Sequence, residues 1–402
     1  MHLTNRQLYY QNLATPAYVP DAIEFKKSEG IYLITDKDEK YVDLVSGVSV
    51  SNVGHRHPKV VNAIKEQVDT YMHLMVYGEF IQSPQVQLAG LLSENLPAHL
   101  NTVFFVNSGS EANEGAMKLT KRVSGRSEII AFKKAYHGGT HGALSILGNE
   151  EMKYAFRPLL PDIKFLEFNS FEQLKNITYK TAAVVIESIQ AEAGIILPDK
   201  GYLKAVKERC DEVGALLILD DIQMGFGRTG KLFSFQNYDY EPHIITLAKG
   251  MGGGMPIGAF VASKEMMNTL QSKPALGHIT TFGGHPVSCA AAKASLEVIL
   301  EENLSEQANE KGKLFKETLK NHPLVKEIRQ QGLMLAIDLG FEELGGKAME
   351  ILWKNKLIVD QFLFNRTSFR IAPPLTITTT EINDICKTLI NSFNQIKKNT
   401  SK

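Results

Sequence analysis

Five short stretches of this 402-residue chain combine residue types that could do chemistry. In Asn107-Ser108-Gly109-Ser110-Glu111-Ala112-Asn113-Glu114, an apolar run gives way to small polar residues and then to a helical pattern. Backbone N–H groups and a helix dipole at such a point can approach a phosphate, although a plain N-cap with Glu114 closing a capping box explains the same string. Tyr136-His137-Gly138-Gly139 offers an aromatic ring that could stack on a planar group or simply pack. Glu187-Ser188-Ile189-Gln190-Ala191-Glu192 places two carboxylates after another apolar run, a pair suited either to acid–base work or to a solvated loop. The apolar run Leu216 to Leu219 leads straight into Asp220-Asp221-Ile222-Gln223. An aspartate at the end of a buried strand is costly unless it meets a cation, and the protonated ring nitrogen of a pyridine cofactor is such a cation. Last, Ile244 to Leu247 ends in Ala248-Lys249 before a glycine-rich turn reaching Gly254. Desolvation there would lower the lysine pKa and make it a nucleophile, whereas a lone lysine would more simply snorkel to the surface.

All five stretches follow short apolar runs, and those runs belong to a regular alternation. Val103–Val106, Ile129–Phe132, Ala183–Ile186, Leu216–Leu219, Ile244–Leu247 and Ala259–Ala262 are strand-like and separated by amphipathic stretches, the pattern of a parallel sheet covered by helices. Between Gly201 and Gly214, Leu203, Val206, Cys210 and Val213 recur at helical spacing. In open sheets of this kind ligands bind at the carboxyl ends of the strands, where the five stretches fall. Outside this region, Gly30 to Val45 reads as a hairpin turning at Asp36-Lys37-Asp38, and Pro286 to Leu304 as a long alanine-rich helix. Gly332–Asp338 and Ser368–Ile371 are strand-like runs among helices, and Lys397 to Lys402 reads as a frayed end. The expected organisation is a large domain over residues 50–289, and a small α+β domain formed by residues 1–49 and 290–402.

Composition narrows the partners. Forty-four basic side chains balance forty-four acidic ones, so no global field favours nucleic acid or an anionic membrane, and no segment has the apolar length of a span. A small-molecule partner is expected. Cys210, Cys289 and Cys386 lie far apart with no C-x-x-C spacing, and the start lacks the apolar core of a secretory signal, so a cytoplasmic location is expected. Gly225-Phe226-Gly227-Arg228-Thr229-Gly230 spells a dinucleotide fingerprint, but it begins several residues past its strand and no helical face follows. It nearly spells a P-loop as well, yet Leu232 stands where the magnesium-binding hydroxyl belongs. His55 and His57 flank Arg56 without further ligands, so no metal is expected.

In this order the segments resemble the class III aminotransferases, the family that includes ornithine, acetylornithine and 4-aminobutyrate aminotransferases. The likeness runs from about Gly30 to Leu375. Its most specific stretches are Leu219-Asp220-Asp221-Ile222-Gln223-Met224-Gly225-Phe226-Gly227-Arg228-Thr229-Gly230, Thr246-Leu247-Ala248-Lys249-Gly250 and Thr280-Thr281-Phe282-Gly283-Gly284-His285-Pro286. The resemblance implies an α/β, fold-type-I (aspartate aminotransferase-like) transferase dependent on pyridoxal 5'-phosphate (PLP), and a homodimer with shared active sites. It implies Lys249 as the Schiff-base lysine and Asp220 as partner of the ring nitrogen, with Ser108, Gly109 and Ser110 around the phosphate and Thr281 reaching it from the partner subunit. Tyr136 and Ile222 would flank the ring, Gln223 would bond its phenolic oxygen, and His137 and Glu187 would complete the cofactor site. Glu192 and Arg370 match a pair that acts as a switch in this family, the arginine clamping the carboxylate of 2-oxoglutarate or glutamate once the glutamate swings away. Tyr18, Tyr77 and Glu79 are expected near the far end of the substrate.

The resemblance has departures that bear on the amino donor. Where the ornithine and acetylornithine enzymes carry an arginine that helps hold the α-carboxylate of their substrate, this chain has Gly139. Asp221 replaces a usual glutamate, Met224 a threonine and His285 an asparagine. An aminomutase or racemase on the same fold would use Lys249 and Asp220 alike, and a non-catalytic protein that kept the fold would need none of Lys249, Asp220, Gln223 and Thr281.

Overall fold

A computed structural model describes residues 3–17 and 22–400. Tyr18 lies outside the described residues. The centre is a seven-stranded sheet of β4 (Thr102–Val106), β5 (Glu128–Phe132), β6 (Ile163–Leu166), β7 (Thr181–Ile186), β8 (Leu216–Asp220), β9 (Ile244–Leu247) and β10 (Gly258–Ala262). Its spatial order is β4-β10-β9-β8-β7-β5-β6. β5 to β9 run parallel, while β10 is antiparallel to both β9 and β4. The carboxyl ends of β4, β5, β7, β8 and β9 therefore share one edge. All six expected strands form. β6, the edge strand, goes unread in the sequence because Lys164 breaks its short apolar run.

Alternation along these strands sorts their side chains onto two faces, as a period of two requires. Ile130, Phe132, Val184, Ile186, Leu217, Leu219, Ile245 and Leu247 point into one buried cluster, with the helices Tyr202–Val213 and Pro286–Glu301. Ile129, Ala131, Ala183, Val185, Ile218, Ile244 and Phe260 enter the opposite cluster, with Ala112, Ala116, Met117 and Leu119 of the helix Gly109–Ser124. Each fully buried Leu or Ile contributes roughly 1.5–3 kcal/mol of transfer free energy, so both faces of the sheet are fixed by apolar burial alone. The helix Tyr202–Val213 starts and stops where the sequence indicates, between Gly201 and Gly214, both left-handed (φ +81° and +65°).

Two smaller sheets complete the chain. One contains β1 (Phe25–Glu29), β2 (Tyr32–Thr35), β3 (Lys40–Asp43) and β13 (Leu357–Ile358). The other contains β11 (Glu327–Gln331), β12 (Met334–Asp338), β14 (Asp360–Phe362) and β15 (Asn365–Ile371). β2 and β3 form the expected hairpin, and β13 pairs in parallel with β3, Leu357 against Val42. The alanine-rich helix ends at Glu301 rather than Leu304, because Asn303 adopts φ +51° and opens a new helix, Leu304–Leu319. The C-terminal helix continues to Thr400, past the fraying expected from Lys397; its amphipathic face keeps Phe393 and Ile396 buried and carries the last turn.

The 225–230 run that imitates nucleotide-binding motifs is a series of turns followed only by a single 3-10 turn, Ser234–Asn237, and not by an α-helix. Its arginine is wholly buried and cross-links the chain: Arg228 Nη1 donates to the carbonyls of Leu333 (2.9 Å) and Pro373 (2.6 Å), and Nη2 to Asn52 Oδ1 (2.7 Å). Burial pulls its pKa down to about 9, with Asp43 opposing that fall. Replacing such an anchor strands several acceptors in a dry interior. Arg228→Met is expected to cost about 3–5 kcal/mol of unfolding free energy by denaturant titration, and a cost below about 1 kcal/mol would contradict this structural role.

Candidate active site

At the shared carboxyl edge, the loops after β4, β5, β7, β8 and β9 surround a cavity of about 450 Å³. Ser108, Gly109, Ser110, Tyr136, His137, Glu187, Asp220, Ile222, Gln223 and Lys249 all line it. Ser108 caps the helix Gly109–Ser124, its hydroxyl accepting from Glu111 N–H at 3.2 Å. Glu111 reaches back to Asn107 N–H at 2.8 Å, so Glu111 closes this end, not Glu114. Glu114 instead accepts from Thr140 Oγ1 and from Gly142 N–H at 3.1 Å, pinning the loop after β5. Gly109 and Gly138 are required by close approach. A Cβ at Gly109 would lie 2.8 Å from Ile222 Cδ1, and one at Gly138 (φ +127°) would collide with Ser110 Oγ.

Asp220 is 5 % exposed and satisfied by three donors. Its Oδ2 accepts from Asn113 Nδ2 (2.8 Å) and His137 Nδ1 (2.7 Å), and its Oδ1 from Ile222 N–H (3.1 Å). A carboxylate offers about four lone-pair positions, which leaves acceptor capacity toward the cavity that Asp220 lines. Burial alone would lower the His137 pKa, but the bond to Asp220, that carboxylate's charge and Glu187 outweigh it and raise it. The carboxylate bond thus favours the protonated form of His137 against the effect of burial. Asn113 also donates to the His137 carbonyl (2.8 Å), and its Oδ1 accepts from Thr246 Oγ1 (2.8 Å) on β9. Its signal in the sequence was a lone amide among Ala112, Ala116 and Met117, on the apolar face of a helix.

Lys249 has a left-handed backbone (φ +46°), a strained conformation for a residue with a side chain. Its Nζ donates to Gln223 Oε1 at 3.1 Å. Burial holds the ammonium pKa below that of an ordinary lysine, with Glu192 opposing and Arg370 adding to the depression. Glu187 and Glu192 are buried, so the solvated-loop alternative for this stretch is wrong. Burial pushes the Glu187 carboxyl up to about 8, and it accepts from Ala191 N–H (3.1 Å) and Tyr136 N–H (3.4 Å).

Glu192 and Arg370 lie close to Lys249 electrostatically but outside the cavity wall, joined Oε1 to Nη2 at 2.7 Å. Arg370 is 1 % exposed, and Glu192 is further held by Leu363 N–H at 3.1 Å. Three further expected residues are not brought to the cavity of this chain. Thr281 is exposed and away from it, and Tyr77 lines a separate cavity with Phe105, His278 and Thr280. Glu79 is exposed as well.

These residues fit PLP. Small residues at a helix N-terminus suit a phosphate, the anchored Asp220 suits a protonated ring nitrogen, and Gln223 Nε2, buried without a hydrogen-bond partner, offers a donor. The comparisons with known proteins agree. The "Aminotransferase class-III" family matches residues 14–393. The chain is 41 % identical over 386 residues to an acetylornithine aminotransferase of Methanocaldococcus jannaschii, covering 92 % of this chain and 94 % of that one. It is 42 % identical over 319 residues to that of Methanopyrus kandleri, covering 78 % and 80 %. Among solved structures, a transaminase from the marine bacterium Virgibacillus superposes with TM-score 0.92 at 26 % identity, covering 98 % and 99 %. An ornithine aminotransferase from Toxoplasma gondii, with partially occupied PLP at its active site, gives 0.91 at 27 %, covering 98 % and 94 %. The cavity at the strand ends and these likenesses, which span nearly the whole chain, lead to one conclusion: this protein belongs to the class-III aminotransferases, fold-type-I transaminases that depend on pyridoxal phosphate.

Proposed function

We propose that this enzyme moves an amino group from an ω-amine or amino acid donor to 2-oxoglutarate, releasing glutamate. The observation that carries the acceptor is the buried Glu192–Arg370 pair beside Lys249. A guanidinium already paired inside the protein can exchange one carboxylate for another without ever being left unneutralised. An aminomutase or racemase would need no such exchange, because its substrate supplies both amine and product.

Bound PLP supplies an electron sink for negative charge developing on the substrate carbon. In this reading Ser108, Gly109 and Ser110 hold the phosphate, and Asp220, oriented by Asn113 and His137, keeps the ring nitrogen protonated. Gln223 Nε2 donates to the phenolic oxygen, with Tyr136 and Ile222 flanking the ring. Lys249 Nζ would carry a proton between the substrate carbon and the C4′ carbon of the cofactor, a task that its lowered pKa suits. Glu187, with its raised pKa, is a neutral acid at pH 7 beside the ring.

Thr281 is read as a group lent to the phosphate of a second subunit, and Tyr77 as lying near the same contact. Support comes from an exposed apolar surface: Met72, Leu74, Phe80, Ile81 (94 % exposed) and Phe282, with the His73 and Phe282 rings 5.0 Å apart. The small domain is proposed to comprise residues 1–49 and 290–402, which the β3–β13 pairing supports, and the large one residues 50–289. A cytoplasmic enzyme is consistent with three buried, free cysteines.

For the donor, the relatives and the site point in different directions. The curated relatives are named acetylornithine aminotransferases. At Gly139, however, a Cβ would meet nothing within 4 Å, so packing does not demand a glycine, and among the described residues the cavity wall carries no guanidinium. We favour a donor with no carboxylate at that position. In a screen of ω-amines, diamines and amino acids followed by bleaching of the cofactor's visible band, amines without an α-carboxylate are expected to react at least as well as acetylornithine. Ornithine or acetylornithine far ahead of all others would contradict this. For the acceptor, Arg370→Lys is expected to lose at least about tenfold in kcat/KM for 2-oxoglutarate, since a lysine cannot reproduce the planar fork. Full retention of kcat/KM would overturn the role of Arg370.

A further inference from the structure

A second carboxylate stands at Arg370. Asp360 lies opposite it in the antiparallel β14–β15 ladder, and its Oδ1 is 3.2 Å from Arg370 Nε. The approach is off the N–H axis, so Nε and Nη1 of the buried guanidinium make no hydrogen bond, and neither does Asp360 Oδ1. Phe362 covers the guanidinium, its ring centroid 4.8 Å away. Of the three nitrogens of Arg370, only Nη2 is engaged in a full hydrogen bond, to Glu192.

The two carboxylates are mounted differently. Glu192 sits in the loop after β7 on a long side chain, and rotating it away breaks its bonds to Arg370 and to Leu363 N–H. Asp360 has a single methylene on a strand whose ladder fixes its Cβ, so it stays beside Arg370 as long as β14 and β15 remain paired.

We propose that Asp360 is a specificity-determining counter-ion, which keeps a negative charge against Arg370 after Glu192 has withdrawn and so weakens the hold of Arg370 on an incoming substrate carboxylate. This rests on the reading of Arg370 as the carboxylate-binding cation. With Asp360 in place, the site disfavours dicarboxylates relative to substrates that leave the Glu192–Arg370 pair closed. The charged groups that face Asp360 are Arg370 on β15, Glu192 on the loop after β7 and Asp43 on β3, the last paired with His55 at 2.8 Å. Burial pushes the Asp360 carboxyl up to about 6, Arg370 opposing and Glu192 and Asp43 adding to the rise. Below that pH the carboxyl takes up a proton, its charge is lost, and the grip of Arg370 on a carboxylate tightens.

The holoenzyme and its Asp360→Asn, Asp360→Ser and Arg370→Gln variants are to be assayed with 2-oxoglutarate varied, and with glutarate as a non-reacting competitor, between about pH 5 and 8. Asp360→Asn is expected to lower the KM for 2-oxoglutarate and the inhibition constant of glutarate about fivefold at the alkaline end, the change falling on KM rather than kcat. The wild-type KM is expected to fall on acidification, and this fall is expected to be absent from the variant. Asp360→Ser serves if the asparagine variant does not fold, and the wild-type profile needs no variant. Asp360 variants with a wild-type KM and profile, alongside an Arg370→Gln that raises KM, overturn the role of Asp360 alone. An Arg370→Gln that leaves KM unchanged overturns the reading of Arg370 and this inference with it.

Discussion

A carboxylate at the end of a buried strand is the constraint around which this site is built. A buried carboxyl group needs hydrogen-bond partners, and Asp220 draws them from three different elements: Asn113 on the helix after β4, His137 on the loop after β5 and the backbone of Ile222. Each bond fixes one wall of the cavity. Asn113 also reaches Thr246 on β9, so the helix whose N-terminus faces the cavity is tied to the strand that delivers Lys249. Asp220 thus ties together the groups around it and keeps acceptor capacity toward the cavity.

The electrostatics of the cavity follow from the same scarcity of water. Burial moves Glu187 toward its neutral form and lowers the Lys249 pKa, whereas the bond to Asp220 and that carboxylate's charge raise the His137 pKa against burial. Arg370 and Glu192 form a second buried group that is felt at Lys249 although it lies outside the wall, with Asp360 against Arg370.

Much of this was legible in the sequence because buried parallel strands are apolar without interruption, and a polar residue directly after such a run is conspicuous. Leu216–Leu219 followed by Asp220, and Ile244–Leu247 followed by Lys249, announce both strands and site. The residues that escaped are those whose signal depends on distant pairing. Asn113 reads as one more polar residue in a helix until β8 and β9 are brought against it, and Asp360 is an unremarked aspartate until the ladder sets it opposite Arg370. For the carboxylates of Glu187 and Glu192 a solvated loop was the commoner reading, since their burial depends on distant chain: Leu363 and Phe364 close over Glu192, and Tyr136 N–H reaches Glu187. β6 was missed because an edge strand needs little apolar content. Thr281 and Tyr77 were named by resemblance, but their use depends on a neighbour that a single chain does not contain.

The account stands on Lys249 as the residue that carries the cofactor and moves the proton, and absorbance spectroscopy of the purified holoenzyme tests it most directly. The visible band should bleach on adding an amine donor and return on adding 2-oxoglutarate, while Lys249→Ala, loaded with PLP, should show no steady-state turnover. Sustained transamination by Lys249→Ala would contradict the account.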